Sequence, residues 1–218
     1  MKKEVSIFVQ VFKLGILFTV LISPLLIWLQ STGYSVSDFR QGGLPGQNYY
    51  LLSKLTGLYA LILMGSQVIY GLSKQHSSTF LLPRWTLSRH RLLGIVTLSM
   101  ILVHASLFIL AVSIRKQEFA TGLLIPHFFK DFYHTMVSFG WLALVIVLCV
   151  MAIRIIKDRI SLNWLWIHRL AIPAILFALI HALMIGSETR AGILLSIYIA
   201  LGLLVVWNVI QRYRSISN

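Results

Sequence analysis

The chain has 218 residues, 58% of them hydrophobic and 11% charged, with a formal net charge of +13. A soluble domain needs about a quarter of its residues charged to cover its surface, so this composition excludes a soluble protein. The basic residues flank apolar runs instead of gathering on a polar domain, which excludes nucleic acid as the partner and leaves the lipid bilayer.

An apolar helix of about 17 to 25 residues spans the hydrocarbon core. Six segments qualify: 8–29, 49–72, 90–112, 135–156, 165–185 and 193–210. The first follows Met1-Lys2-Lys3, as a signal peptide would. Its apolar run from Leu14 to Leu29 is long and no small-x-small cleavage site follows, so it is expected to be a retained helix. Between the first two spans, Gly42-Gly43-Leu44-Pro45-Gly46 reads as a turn; it neither follows a strand nor opens a helix in the manner of a phosphate loop. The long segment 113–134 holds a second turn signal, Thr121-Gly122. The fourth span contains the only cysteine, Cys149, which is expected to be a buried structural thiol; no disulfide and no C-x-x-C-H haem attachment is possible. No internal repeat is evident. The expectation is an all-α membrane protein, a six-transmembrane-helix bundle forming a single domain over residues 1–218.

Orientation follows from charge. If the N-terminus, 73–89, 157–164 and the C-terminus share one side, that side, with the flanking Lys13, Arg91, Arg154 and Arg169, carries thirteen Lys/Arg and the other six, namely Arg40, Lys54, Arg115, Lys116, Lys130 and Arg190. The positive-inside rule then places both termini in the cytoplasm of a multi-pass protein of the inner or plasma membrane. Trp28, Tyr49, Tyr50 and Trp141 are expected at the outer interface, and Trp85, Trp164, Trp166 and Tyr213 at the inner one.

Ionisable groups inside a bilayer are costly, so each is a functional hypothesis by default. His104 and His181 fall deep in the third and fifth spans, and His90 and His168 fall at the cytoplasmic starts of the same two. Those helices run in the same direction, so each presents an inner and an outer histidine. Two haems clamped by pairs of imidazoles are one reading. Histidines hydrogen-bonded within a bundle, or relaying protons or a metal through a transporter, are the other. The 14 residues from His90 to His104 rise roughly 21 Å and return to nearly the same helix face. The 13 from His168 to His181 rise roughly 19.5 Å but leave the rings about 140° apart on an ideal helix. Pro173 lies between them, where it can kink or rewind the helix.

The string Ser88-Arg89-His90-Arg91-Leu92-Leu93-Gly94 followed by His104 resembles the third helix of the ferric reductase-like transmembrane family, and Trp164-x-x-x-His168 followed by His181 is similar to its fifth. That family includes ferric reductases, the membrane half of NADPH oxidases and the haem-binding subunit of a bacterial methionine sulfoxide reductase system. The resemblance covers the six-helix core, and the unequal 14- and 13-residue spacings are the family's own pattern. It implies two b-type haems, an inner one on His90 and His168 and an outer one on His104 and His181. Arg91 and Arg169 would pair with propionates, and Gly94 would let a porphyrin approach the backbone. As plain readings, Arg84, Arg89, Arg91 and Arg169 are positive-inside anchors and Gly94 a packing glycine. Gln67 is either a haem-side hydrogen-bonding group or an interhelix contact. His76, His127 and His134 read as solvated, with the last two on the side where an acceptor would dock.

No G-x-G-x-x-G occurs, and Gln211 to Asn218 follow the last span. The expectation is an electron-transfer membrane component of an oxidoreductase without its own flavin or NAD(P)H domain, any flavin being loosely bound or carried by a separate partner. The short members of the family often lack a counterpart of His90, which would set this chain apart from them. The donor implied is a cytoplasmic flavoprotein reductase or a membrane quinol, and the acceptor a ferric chelate or an external reductase. A proton-coupled or metal transporter is the alternative.

Overall fold

The computed structural model describes residues 22–33, 44–73, 90–156, 164–187, 189–190 and 192–217. Among these, every regular element is helical. Residues 22–32 form α1, followed by α2 (Gln47–Ser73), α3 (His90–Lys116), a 3-10 turn (Thr121–Leu123), α4 (Phe132–Ile156), α5 (Trp164–Arg169), α6 (Ala171–Ile185) and α7 (Gly192–Ser217). Five stretches are long and apolar enough to cross a membrane: α2, α3, α4, α5 with α6, and α7. The expected first span, 8–29, lies outside the described residues except for its part in α1.

Helices are the physical solution for such sequences, because hydrocarbon offers nothing to an unpaired backbone N–H or C=O. Hydroxyls in the spans follow the same rule. Thr56 donates to Leu52 O at 2.9 Å, Thr97 to Leu93 O at 2.8 Å and Ser113 to Ile109 O at 2.8 Å, each bonding back one turn.

The ends are set by local chemistry. Leu44-Pro45-Gly46-Gln47 is a turn closed by Gln47 N–H on Leu44 O at 2.9 Å, with Pro45 in its second position and Gly46 at φ +77° in its third. A Cβ on Gly46 would lie 2.5 Å from Ala111 O, so the turn also needs glycine to meet α3. At the same end of α3, Gln117 adopts φ 56°. Gln117 N–H bonds Ile114 O and Glu118 N–H bonds Ser113 O, both at 3.3 Å, which terminates the helix one turn past the expected Val112.

The core runs along α2, whose Leu51, Leu58, Leu61, Met64, Val68 and Leu72 recur at helical spacing and meet Ile175 and Leu179 of α6 and Leu194, Tyr198 and Val205 of α7. The most extensive helix contacts are α2 with α3 and α4 with α6. The bundle is thus organised as two helix pairs, one carrying His104 and the other His181.

Trp28 is 2% exposed within the core cluster, so its ring packs against protein. One expectation is corrected. Cys149 is exposed on the outside of α4 and not buried. A helix apolar all round gives the sequence no sign of which face turns inward.

Candidate functional site

The helix that should carry His168 and His181 is interrupted. Leu170 separates α5 from α6, its N–H bonding Ile167 O at 3.0 Å in a tight i to i−3 turn. Pro173 has no N–H to offer the Arg169 carbonyl, so a regular helix cannot continue through this point. The break frees His168 from the rotational phase of His181.

Both histidines then face α3. The ring centroids of His104 and His181 are 6.2 Å apart with planes at 83°, and those of His90 and His168 are 5.9 Å apart at 87°. Two imidazoles sharing one metal atom, with bonds of about 2 Å on either side, have centroids about 6 Å apart.

The deep pair is held from behind by two matching devices. His104 Nδ1 donates to Ser53 O at 2.7 Å, and His181 Nδ1 donates to Met136 O at 2.9 Å. A carbonyl only accepts, so each Nδ1 carries the proton and each Nε2 keeps its lone pair. Four residues after each carbonyl comes a glycine that the ring packs against. A Cβ on Gly57 would meet His104 Nδ1 at 2.8 Å, and one on Gly140 would meet His181 Nδ1 at 2.9 Å. The Ser53 hydroxyl, 3.2 Å from His104 Nδ1, donates to His104 O at 3.0 Å and ties α2 to α3. Leu102 and Val103 beside His104, and Ile180 beside His181, are exposed on the bundle's outside. A cavity opens between the two rings, walled mainly by apolar side chains of α1 to α4, α6 and α7.

Two neutral imidazoles with tautomers fixed by backbone acceptors are residues that could hold a haem from either side, and the glycines leave the rings room to stand upright. Among the described residues, no group of three or more His, Cys, Asp or Glu converges as a bare-metal site would require.

The remaining candidates are placed as follows. Arg91 is exposed in the first turn of α3, and the Arg169 guanidinium lies 4.7 Å over the Trp166 ring. A Cβ on Gly94 would make only ordinary contact, 3.4 Å from Met151 Sδ. Gln67 Nε2 donates to Thr97 Oγ1 at 2.8 Å, an interhelix contact between α2 and α3. His127 and His134 form a third edge-on pair at 6.1 Å, with His134 Nδ1 2.6 Å from Asp131 Oδ2. His76, Arg84 and Arg89 lie outside the described residues.

Sequence reasoning singled out Gly94 and missed Gly57, Gly140, Ser53 and Met136. Glycine in mid-span is a visible signal, but the carbonyl partners carry no signature, since any residue type supplies one.

Fold and site together define a multi-helix protein of membrane-spanning character with two facing histidine pairs. No protein-family model, no curated protein and no solved structure matches this chain.

Proposed function

We propose that the chain is a haem b-containing transmembrane electron-transfer protein, a six-helix membrane component akin to the ferric reductase-like family it resembles. The observation that carries this reading is the occurrence of two histidine pairs between α3 and the α5–α6 segment, both at the spacing two imidazoles take across one iron. His90 with His168 would hold the inner haem, and His104 with His181 the outer one.

Each haem, when bound, supplies a one-electron couple. The chain's own residues do the rest. Ser53 and Met136 carbonyls orient the two deep imidazoles and raise their basicity through Nδ1–H. Apolar walls keep water from the deep pair, and Gly57 and Gly140 set how far each ring can retreat. Electrons would come from a cytoplasmic flavoprotein or a quinol and leave to an acceptor on the outer face, with the basic cytoplasmic segments steering an acidic donor. Two imidazoles would leave a bound haem no open position, which would favour outer-sphere transfer over oxygen binding.

Spectroscopy of the purified protein tests this. Two haems per chain are expected, with a Soret band and a sharp reduced α band. His104→Ala and His181→Ala should each remove the same haem, and His90→Ala and His168→Ala the other. Protein that purifies without haem, or four variants that all retain two, would overturn the reading.

A further inference from the structure

The third edge-on histidine pair lies where the connection after α3 enters α4. In the sequence His127 and His134 read as solvated side chains, yet the structure builds them together. Ser138, 1% exposed, accepts the His127 N–H at 2.7 Å and donates its own proton to His134 O at 2.8 Å, so one buried hydroxyl ties the two backbones. Thr135 Oγ1 lies 2.6 Å from Phe128 O and 2.7 Å from Asp131 O, which pins the same segment to the first turn of α4.

The two rings meet different partners. His134 Nδ1 donates to Asp131 Oδ2 at 2.6 Å; a carboxylate only accepts, so Nδ1 holds the proton and Nε2 keeps a lone pair. The ammonium of Lys130, which only donates, lies 3.5 Å from that Nε2. The His127 ring has no hydrogen bond among the described residues, and both histidines are partly exposed. A carboxylate behind an imidazole is the arrangement that orients a metal-ligating histidine and raises its basicity. The ring centroids are 6.1 Å apart, the separation of two imidazoles on opposite sides of one metal atom, whereas tetrahedral ligation would bring them to about 5 Å. Opposed nitrogen donors suit the square-planar preference of a cupric ion. Among the described residues no group of three or more His, Cys, Asp or Glu converges, so the ion's remaining positions belong to water or to a chelator it carries. Neither histidine lines the cavity between His104 and His181; Tyr133, which does, meets the His134 ring edge-on at 5.8 Å.

We infer that His127 and His134 form a binding site for a cupric ion that brings its other ligands with it. Asp131 acts by positioning, holding His134 from behind, and the exposed Lys130 swings away on binding. The site does not rest on the haem reading of the other two pairs.

The test titrates Cu2+, supplied as its citrate complex, into the purified full-length protein and follows binding by electron paramagnetic resonance. One ion per chain is expected, with hyperfine structure from two imidazole nitrogens. His127→Ala and His134→Ala should each weaken binding by about tenfold or more, and Asp131→Asn by about tenfold. Lys130→Met should tighten it. Binding that survives both histidine variants, or that is lost with His104→Ala instead, overturns the inference, as does a spectrum with one imidazole nitrogen or none. A third haem per chain, lost with His127→Ala, overturns it equally. The wild-type spectrum needs no variant, so a folding defect in His134→Ala leaves the test intact. Protein that binds copper but no haem overturns the haem reading alone.

Discussion

His181 Nδ1 lies 2.9 Å from the carbonyl oxygen of Met136, one turn before the glycine against which its ring packs. His104 stands in the same relation to Ser53 and Gly57 on the other helix pair. Each device combines a backbone acceptor, which fixes the tautomer, with a missing side chain, which fixes the depth of the ring.

The glycines should therefore be far less replaceable than glycines elsewhere in the spans. Gly57→Ala and Gly140→Ala each place a Cβ under 3.0 Å from an imidazole, an overpacking that costs about 1–3 kcal/mol. Haem-to-protein ratio and thermal midpoint should both fall, with one haem lost selectively. Gly94→Ala, whose added Cβ meets only ordinary contacts, should retain both haems; equal losses in all three variants would refute the distinction.

Ring orientation gives a spectroscopic prediction. With imidazole planes at 83° and 87°, the ferric protein should show strongly anisotropic low-spin electron paramagnetic resonance signals, the signature of near-perpendicular axial ligands. An ordinary rhombic spectrum from both haems would mean that the rings turn parallel on binding.

Cys149 offers a check on which face of α4 looks outward. Because it is exposed on the bundle's periphery, Cys149→Leu should change stability by no more than about 0.5 kcal/mol. Ala143, which is buried, should not tolerate the same residue: Ala143→Leu is expected to destabilise by about 1–3 kcal/mol. Thermal unfolding in one detergent compares the two.

Asp131 caps α4, its Oδ1 accepting the His134 N–H at 2.8 Å and its Oδ2 lying 2.6 Å from the His134 ring. The backbone N–H of His134 is the main reason its carboxyl is held below the usual aspartate value, with the His134 side chain adding to it. A carboxyl depressed by folding stabilises at pH above its unfolded value of about 3.9, and the contribution disappears as pH falls through the folded value. Asp131→Ala should lower the thermal midpoint at neutral pH, and the difference from wild type should vanish under acid conditions. Asp131→Asn should keep most of the cap.

Much of this architecture was legible in the sequence. Lengths of apolar run located all five described spans to within about one turn, since the bilayer's thickness sets the length of a crossing helix. Four histidines at 14- and 13-residue spacing were visible as two levels on two helices. Their rotational mismatch was visible too, and Pro173 marked where it had to be relieved.

What the sequence determined by itself was therefore axial: where each apolar helix begins and ends, and how far along it each histidine lies. What only the tertiary structure decided was azimuthal, meaning which side of each helix turns inward. In a soluble protein polarity marks the outer face, but here lipid-facing and core-facing residues are both apolar, and the pattern carries no such mark. That is why the burial of Trp28 was not legible, why Cys149 was expected inside and faces out, and why Gly57 and Gly140 went unnoticed. The break at Leu170 turns His168 and His181 toward α3, and packing of the two helix pairs then sets each imidazole opposite its partner.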